Sequence, residues 1–227
     1  MHAHLARLLF GGTCFLCRGT ASGTLCAECD ADLPRLTRPS CPRCALDSPA
    51  GAVCGRCLAQ PPAYDATVAA LAYEFPADAL VHALKFRGEL ALASLLSSCL
   101  RARVSPQGID CIVPVPLSSE RLRERGYNQA LEIARHLGGK FELDACVRNR
   151  DAPPQAGLDR ESRRRNVRGA FCCQRSFAGE RVALVDDVMT TGATLDALAA
   201  ALKDAGALSV TNWVVCRTAA DAATSHV

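Results

Sequence analysis

Beyond residue 63 the chain alternates continuous apolar runs with runs of helical periodicity. Cys111 to Val115 and Val182 to Val185 are unbroken apolar stretches, the pattern of strands buried on both faces of a parallel sheet. Val68 to Phe75 and Val210 to Cys216 read as two further strands. Ala77 to Phe86 and Leu90 to Arg103 read as helices separated at Gly88, with Leu80, Leu84, Leu92, Leu95 and Leu96 suited to a buried face. Asn128 to Leu137 and Leu195 to Ala205 read as the helices that follow the second and third strands. Strand, helix and strand in succession predict an α/β domain with a parallel sheet over residues 61–227. Before Gln60-Pro61-Pro62 large apolar residues are few, so residues 1–60 form a separate small domain that needs another source of folding free energy.

Cysteine supplies that source. The chain has 14 cysteines, and those before residue 60 form four CxxC pairs: Cys14/Cys17, Cys26/Cys29, Cys41/Cys44 and Cys54/Cys57. A CxxC turn sets two thiolates on one side of a tight knuckle, and two knuckles make a tetrahedral four-thiolate zinc site. The spacing predicts two structural Zn2+ ions in a double zinc ribbon, with sequential and crossed sharing of the knuckles both open. A disulfide framework is disfavoured by the spacing and by an N-terminus whose apolar stretch is too short for a secretory signal. An iron–sulfur cluster is the third alternative, because thiolate tetrads alone do not separate iron from zinc. Cys99, Cys111, Cys146, Cys172, Cys173 and Cys216 lack metal spacing and mostly sit in apolar runs as small hydrophobes.

Composition changes this picture little. With 49% hydrophobic and 22% charged residues, the chain reads as globular with a sizeable core. A net charge of +3 does not by itself indicate nucleic-acid binding. No apolar run reaches the ~18 residues of a membrane helix, so no membrane insertion and a cytoplasmic location are expected. Lysine occurs only at Lys85, Lys140 and Lys203, so nearly all positive charge is arginine, which suits bidentate phosphate binding where it clusters.

The densest chemistry lies in VALVDDVMTTGAT, Val182 to Thr194. An acidic pair, Asp186 and Asp187, ends the apolar run. Thr190, Thr191, Gly192, Ala193 and Thr194 then open a helix, whose N-terminal N–H groups and partial positive charge attract phosphate. Gly192 permits close backbone approach, and the threonines add hydroxyl donors. Two adjacent carboxylates beside an anion site would be an electrostatic fault if phosphate were the whole ligand, and a ligand that carries both a phosphate and neighbouring hydroxyls removes it; the alternative is a plain strand, turn and capped helix, with Asp187 and Thr194 as turn and cap residues. A nucleoside triphosphate loop would need GxxxxGK, and no lysine is present here.

This segment resembles the 5-phosphoribosyl-1-pyrophosphate (PRPP) signature of type I phosphoribosyltransferases. Three more segments extend the likeness: LKFRG at Leu84 to Gly88, IVPVPLSSERLRERGYNQALEIA at Ile112 to Ala134, and QAGLDRESRRRNVRGAF at Gln155 to Phe171. With the cysteine ribbon in front, the chain is identified by these segments as similar to the ComF/GntX family, apart from Pro153-Pro154 where that family usually has Lys/Thr-rich residues. The resemblance implies a type I phosphoribosyltransferase fold. It also implies Asp186 and Asp187 on the ribose hydroxyls, directly or through Mg2+, and Thr190 to Thr194 on the 5′-phosphate. Arg121, Arg125 and Gly126 become candidates for pyrophosphate, Lys85 for pyrophosphate or acceptor, and Arg163 for a flap spanning Arg148 to Arg168. Asn128 and Gln129 are equally well read as ordinary residues of a helix start.

Two functions stay open on this likeness. One is transfer of phosphoribose from PRPP to an unidentified acceptor. The other is a PRPP-sensing or nucleic-acid-binding accessory role in DNA uptake, with a DNA-translocating competence ATPase and single-stranded DNA as the implied partners. Phe15 is the only aromatic between Cys14 and Cys57, which favours protein docking over base stacking for the ribbons.

Overall fold

The computed structural model describes residues 12–148 and 170–219. Four parallel strands form the central sheet: β3 (Ala66–Ala72), β4 (Cys111–Pro114), β7 (Arg181–Met189) and β8 (Ser209–Arg217), in the order β3-β8-β7-β4. The α/β reading therefore holds, with differences at element ends. β3 stops at Ala72, short of the expected Phe75, because Phe75 lies before Pro76, which opens the next helix as its N-cap. β7 does not stop at Val185. It runs on to Met189, held on one side by β8 as far as the Met189–Arg217 pair.

The sheet is covered on both faces. α3 (Ala77–Phe86), α4 (Ala91–Arg101) and α6 (Gln129–Ala134) pack Leu80, Leu84, Leu92, Leu96 and Ile133 against Val185, Trp213 and Val215. On the other face α7 (Ala193–Asp204) packs Leu195, Leu198 and Leu202 against Leu184, Val210 and Val214. Each fully buried aliphatic side chain of this kind contributes about 1.5–3 kcal/mol. A two-stranded ladder, β5 (Cys146–Arg148) with β6 (Phe171–Cys173), lies on the α7 face.

The cysteine-rich segment wraps the β3 edge of this sheet. Its elements are the short hairpin β1 (Gly12–Thr13) with β2 (Thr20–Ala21), and the one-turn helices α1 (Ala27–Ala31) and α2 (Gly55–Ala59). Between the two knuckle regions Leu36 N–H donates to Ala70 O at 3.0 Å and Ala72 N–H to Pro34 O at 2.8 Å. These bonds close an edge that would otherwise present open donors and acceptors. The crossing puts Cys14 among the residues of the α3/α4 face, and Cys41, Cys44 and Cys57 among those of the α7 face.

Candidate functional site

β4 ends at Pro114 and its pairing with β7 closes at Val115, whose N–H donates to Val185 O at 2.9 Å. Asp186 and Asp187 therefore extend past the end of β4. α6, which follows β4 in the chain, packs on one face of the sheet and α7, leaving β7, on the other. A crevice opens where such connections diverge, at the carboxyl ends of the strands, and ligands of open α/β sheets bind there.

Side chains alternate along a strand. Asp187 falls on the α3 face, buried, and its Oδ1 accepts from Lys85 Nζ at 2.9 Å. Lys85 thus has a partner inside the protein, at the last turn of α3. Asp186 is half-buried, and its Oδ1 accepts the Asp187 N–H at 2.9 Å. Desolvation and then the charge of Asp187 push the Asp186 carboxyl up to about 7, while Lys85 and Arg148 pull it down. The acidic pair is consequently one ion-paired carboxylate beside one that holds its proton near neutrality.

Gly192 caps α7 in the left-handed region at φ 82. A Cβ there would lie 2.6 Å from Met189 Cε and 3.1 Å from Tyr64 Oη, so Met189 would have to shift, and the left-handed backbone itself favours glycine. Thr191 Oγ1 accepts the Ala193 N–H at 3.3 Å. Thr190 is exposed, and Thr191, Ala193 and Thr194 are half-buried around the first turn of α7. At the base of the loop is a residue that the motif did not indicate, the buried Arg217. Its Nη1 donates to Met189 O at 2.8 Å and to Thr190 O at 2.5 Å, and its Nε to Cys44 O at 2.8 Å.

The arginines assigned to a loop after β4 stand instead on a helix, α5 (Ser119–Arg125), started by Ser118 Oγ accepting from Arg121 N–H at 3.3 Å. Gly126 ends it in the left-handed region at φ 77. Arg125 Nη1 donates to Gln129 Oε1 at 2.9 Å, and its guanidinium lies 5.1 Å from the Phe86 ring centre. Tyr127 Oη donates to Leu84 O. These contacts bring the LKFRG end of α3 and the α5–α6 turn together beside Asp187, whereas Arg121 is exposed on α5 one turn earlier. Asn128 caps α6, its Oδ1 accepting from Ala130 and Leu131 N–H at 3.0 and 3.3 Å, and its Nδ2 donates to Val115 O at 3.0 Å. Arg163 lies outside the described residues.

The cysteines resolve the sharing left open by their spacing. Cys14, Cys17, Cys26 and Cys29 form one quartet and Cys41, Cys44, Cys54 and Cys57 the other, each with its sulfurs within 4.8 Å of one another. Cys17 and Cys26 Sγ are 3.7 Å apart, and Cys44 and Cys54 Sγ 3.6 Å. Four sulfurs at about 2.3 Å around tetrahedral zinc stand about 3.8 Å apart, so both quartets fit that ion. Gly19 N–H donates to Cys17 Sγ at 3.4 Å and Cys54 N–H to Cys41 Sγ at 3.3 Å, as expected around thiolates. Burial opposes ionisation of Cys14, yet backbone donors from Cys17, Cys26 and Leu16 bring it down to about 6.

A double zinc ribbon domain matches residues 5–58, and a phosphoribosyl transferase domain matches residues 91–225. The chain belongs to the phosphoribosyltransferase domain family. A DNA utilization protein YhgH of Salmonella typhi is 38% identical over 225 residues, covering 91% of this chain and 97% of that protein. The corresponding YhgH of Escherichia coli K12 is 34% identical over 222 residues with the same coverage. Competence protein F of Haemophilus influenzae Rd is 31% identical over 226 residues, covering 92% of this chain and 98% of that protein. The ComF-type resemblance read from the motifs is thus matched along almost the whole chain. No helix among the described residues is long and apolar enough to cross a membrane.

Proposed function

We propose that the chain binds PRPP at the carboxyl end of β7 and transfers its phosphoribosyl group, in a process linked to DNA uptake. The observation that carries this reading is the joined geometry of Asp186, Asp187 and the Gly192-capped α7 start in the crevice beside β4. A phosphate at Thr190 to Thr194 would meet the first-turn N–H groups of α7 and the threonine hydroxyls. The sugar hydroxyls would then meet Asp186, whose carboxyl near neutrality both donates and accepts, while Lys85 holds Asp187 in place. Arg125, oriented by Gln129, is the cation best placed toward pyrophosphate, with Gly126 allowing close approach and Arg121 at the rim. Negative charge grows on pyrophosphate as it departs, so a cation there stabilises the transition state more than the ground state. Because Lys85 already occupies Asp187, the protein offers few free carboxylates, which fits Mg2+ arriving with its own waters and the substrate's oxygens. Bound Mg2+ would supply charge for the leaving group.

The residue division at 60 follows the same reading, with residues 1–60 as the ribbon and 61–227 as the transferase unit, in the cytoplasm. The DNA-uptake link rests on the names of the YhgH and competence protein F relatives, and it makes a DNA-translocating ATPase and single-stranded DNA the partners to test. A PRPP-sensing role without turnover is the second reading, favoured by the lack of an evident base for an acceptor among the described site residues. Calorimetry with PRPP and Mg2+ tests the common part. The expected result is binding by the wild type and none by Asp186→Asn with Asp187→Asn at unchanged zinc content. No PRPP heat at millimolar ligand refutes both readings, and pyrophosphate release in the presence of DNA or cell extract separates them.

A further inference from the structure

We propose that Arg217 is a positioning residue that couples metal at the second cysteine quartet to ligand binding at the loop Thr190 to Thr194. This inference rests on the PRPP reading of that loop. Arg217 ends β8, opposite Met189, and is 4% exposed. One guanidinium holds three carbonyls from two parts of the molecule: Met189 and Thr190 at the start of the anion loop, and Cys44 in a metal knuckle. It also donates to Thr218 O at 3.0 Å. A guanidinium remains charged when buried, so loss of one acceptor cannot be relieved by deprotonation.

A second strut runs parallel to the first. Directly after the ribbon, Ala63 N–H donates to Asp196 Oδ1 at 2.7 Å in the first turn of α7, and Tyr64 packs at Gly192. Metal at Cys41, Cys44, Cys54 and Cys57 fixes the Cys44 carbonyl, which fixes the guanidinium, which fixes the two loop carbonyls. The other quartet packs on the opposite face, with Leu25, Leu33, Leu80 and Leu84. Only one of the two metals should therefore sense the ligand.

Binding linkage is reciprocal, so either site can report the coupling. In the wild type, saturating PRPP with Mg2+ is expected to weaken zinc extraction by a chromophoric chelator about tenfold at one site and leave the other unchanged. Arg217→Lys keeps a charge but loses the fork. It is expected to keep both zinc ions and lose about tenfold in PRPP affinity. Cys54→Ser should weaken PRPP similarly while Cys17→Ser does not. If Cys54→Ser fails to fold, the wild-type extraction and Arg217→Lys still decide. PRPP binding by the wild type with identical zinc extraction, or wild-type affinity in Arg217→Lys, overturns the coupling alone. No PRPP binding by the wild type overturns the function proposed above and the coupling with it.

A different observation carries a second inference: we infer that Cys146 and Cys173 form a dithiol site for reversible oxidation by low-molecular-weight disulfides. They are direct partners in the β5–β6 ladder with Sγ atoms 3.1 Å apart. Gln174 N–H donates to Ala145 O at 2.8 Å, which makes Cys146 and Cys173 a non-hydrogen-bonded pair, the register with the closest side chains. Cys173 is half-buried and its pKa is lowered, first by the hydrogen bond from Cys146. Its thiolate would attack one sulfur of oxidised glutathione and expel one glutathione thiolate. Cys146, whose thiol is pushed up first by its hydrogen bond to Cys173 and then by burial, would pass its proton to the expelled glutathione thiolate, attack the Cys173 sulfur and expel the second thiolate. Two protein thiols become one disulfide as one glutathione disulfide becomes two thiols. Non-reducing peptide mass mapping of the zinc-loaded chain after oxidised glutathione should show Cys146 joined to Cys173 and the two quartets unmodified. Cys146→Ser should leave a lasting glutathione adduct on Cys173. An unlinked pair, or an adduct confined to the exposed Cys172, overturns the inference.

Discussion

Asp186→Asn removes the one carboxyl in the crevice whose proton affinity the fold raises to about 7 from the ordinary 3.8. That difference is a factor of about a thousand, or about 4 kcal/mol, and solvent reaching a half-buried group reduces it to about 2–4 kcal/mol. The cause is burial first and Asp187 second, with Lys85 and Arg148 opposing. Because the folded value lies above the unfolded one, the folded state binds the extra proton between them. Its contribution to stability is complete below pH 3.8 and is lost as pH rises through about 7. Asparagine keeps an oxygen for the Asp187 N–H and cannot ionise. Urea unfolding of wild type and variant from pH 4 to 8 should show the variant gaining on the wild type by about 2–4 kcal/mol, most of it before pH 7. Parallel profiles across that window refute the account of the acidic pair, whatever the absolute stabilities.

Gly192→Ala should lose PRPP binding and about 1–2 kcal/mol of stability, since a Cβ meets Met189 and the backbone stays left-handed; unchanged calorimetric affinity would contradict the loop geometry. Metal analysis of protein purified without added metal should give two zinc ions per chain. Cys14→Ser and Cys41→Ser should each release about one, and a brown protein would indicate iron–sulfur chemistry instead. Asn128→Ala should cost about 1 kcal/mol in urea unfolding through the lost α6 cap, with a further loss from the freed Val115 carbonyl; no change would show the cap to be redundant.

The sequence by itself determined the α/β alternation, the eight cysteines of the four CxxC knuckles, and the acidic pair followed by a glycine-capped helix. Each of these is local chemistry. A CxxC knuckle, an apolar run buried on both faces and a loop that needs glycine before a helix are all specified within a few residues. Tertiary structure decided what lies far apart in the chain. Apolar periodicity did not show that β7 continues through Asp186 to Met189, because that extension depends on pairing with β8 beyond the end of β4. Nor did it show that α5 replaces the expected arginine loop, since its residues carry a cap and a left-handed stop but bury no side chain.

Pairing across the fold is equally invisible in one dimension. Lys85 reads as a cation ending a helix, and only the packing of α3 on the sheet brings it to Asp187. Knuckle order left crossed and sequential metal sharing both open, until the chain between the quartets was laid along the β3 edge and sent them to opposite faces. Arg217 carries no motif at all. Its contacts come from a register that sets the end of β8 beside the end of β7, and from a ribbon folded back far enough to offer a carbonyl. Residue chemistry and short spacing indicated which groups are candidates for chemistry; long-range hydrogen bonding and burial fixed which of them meet.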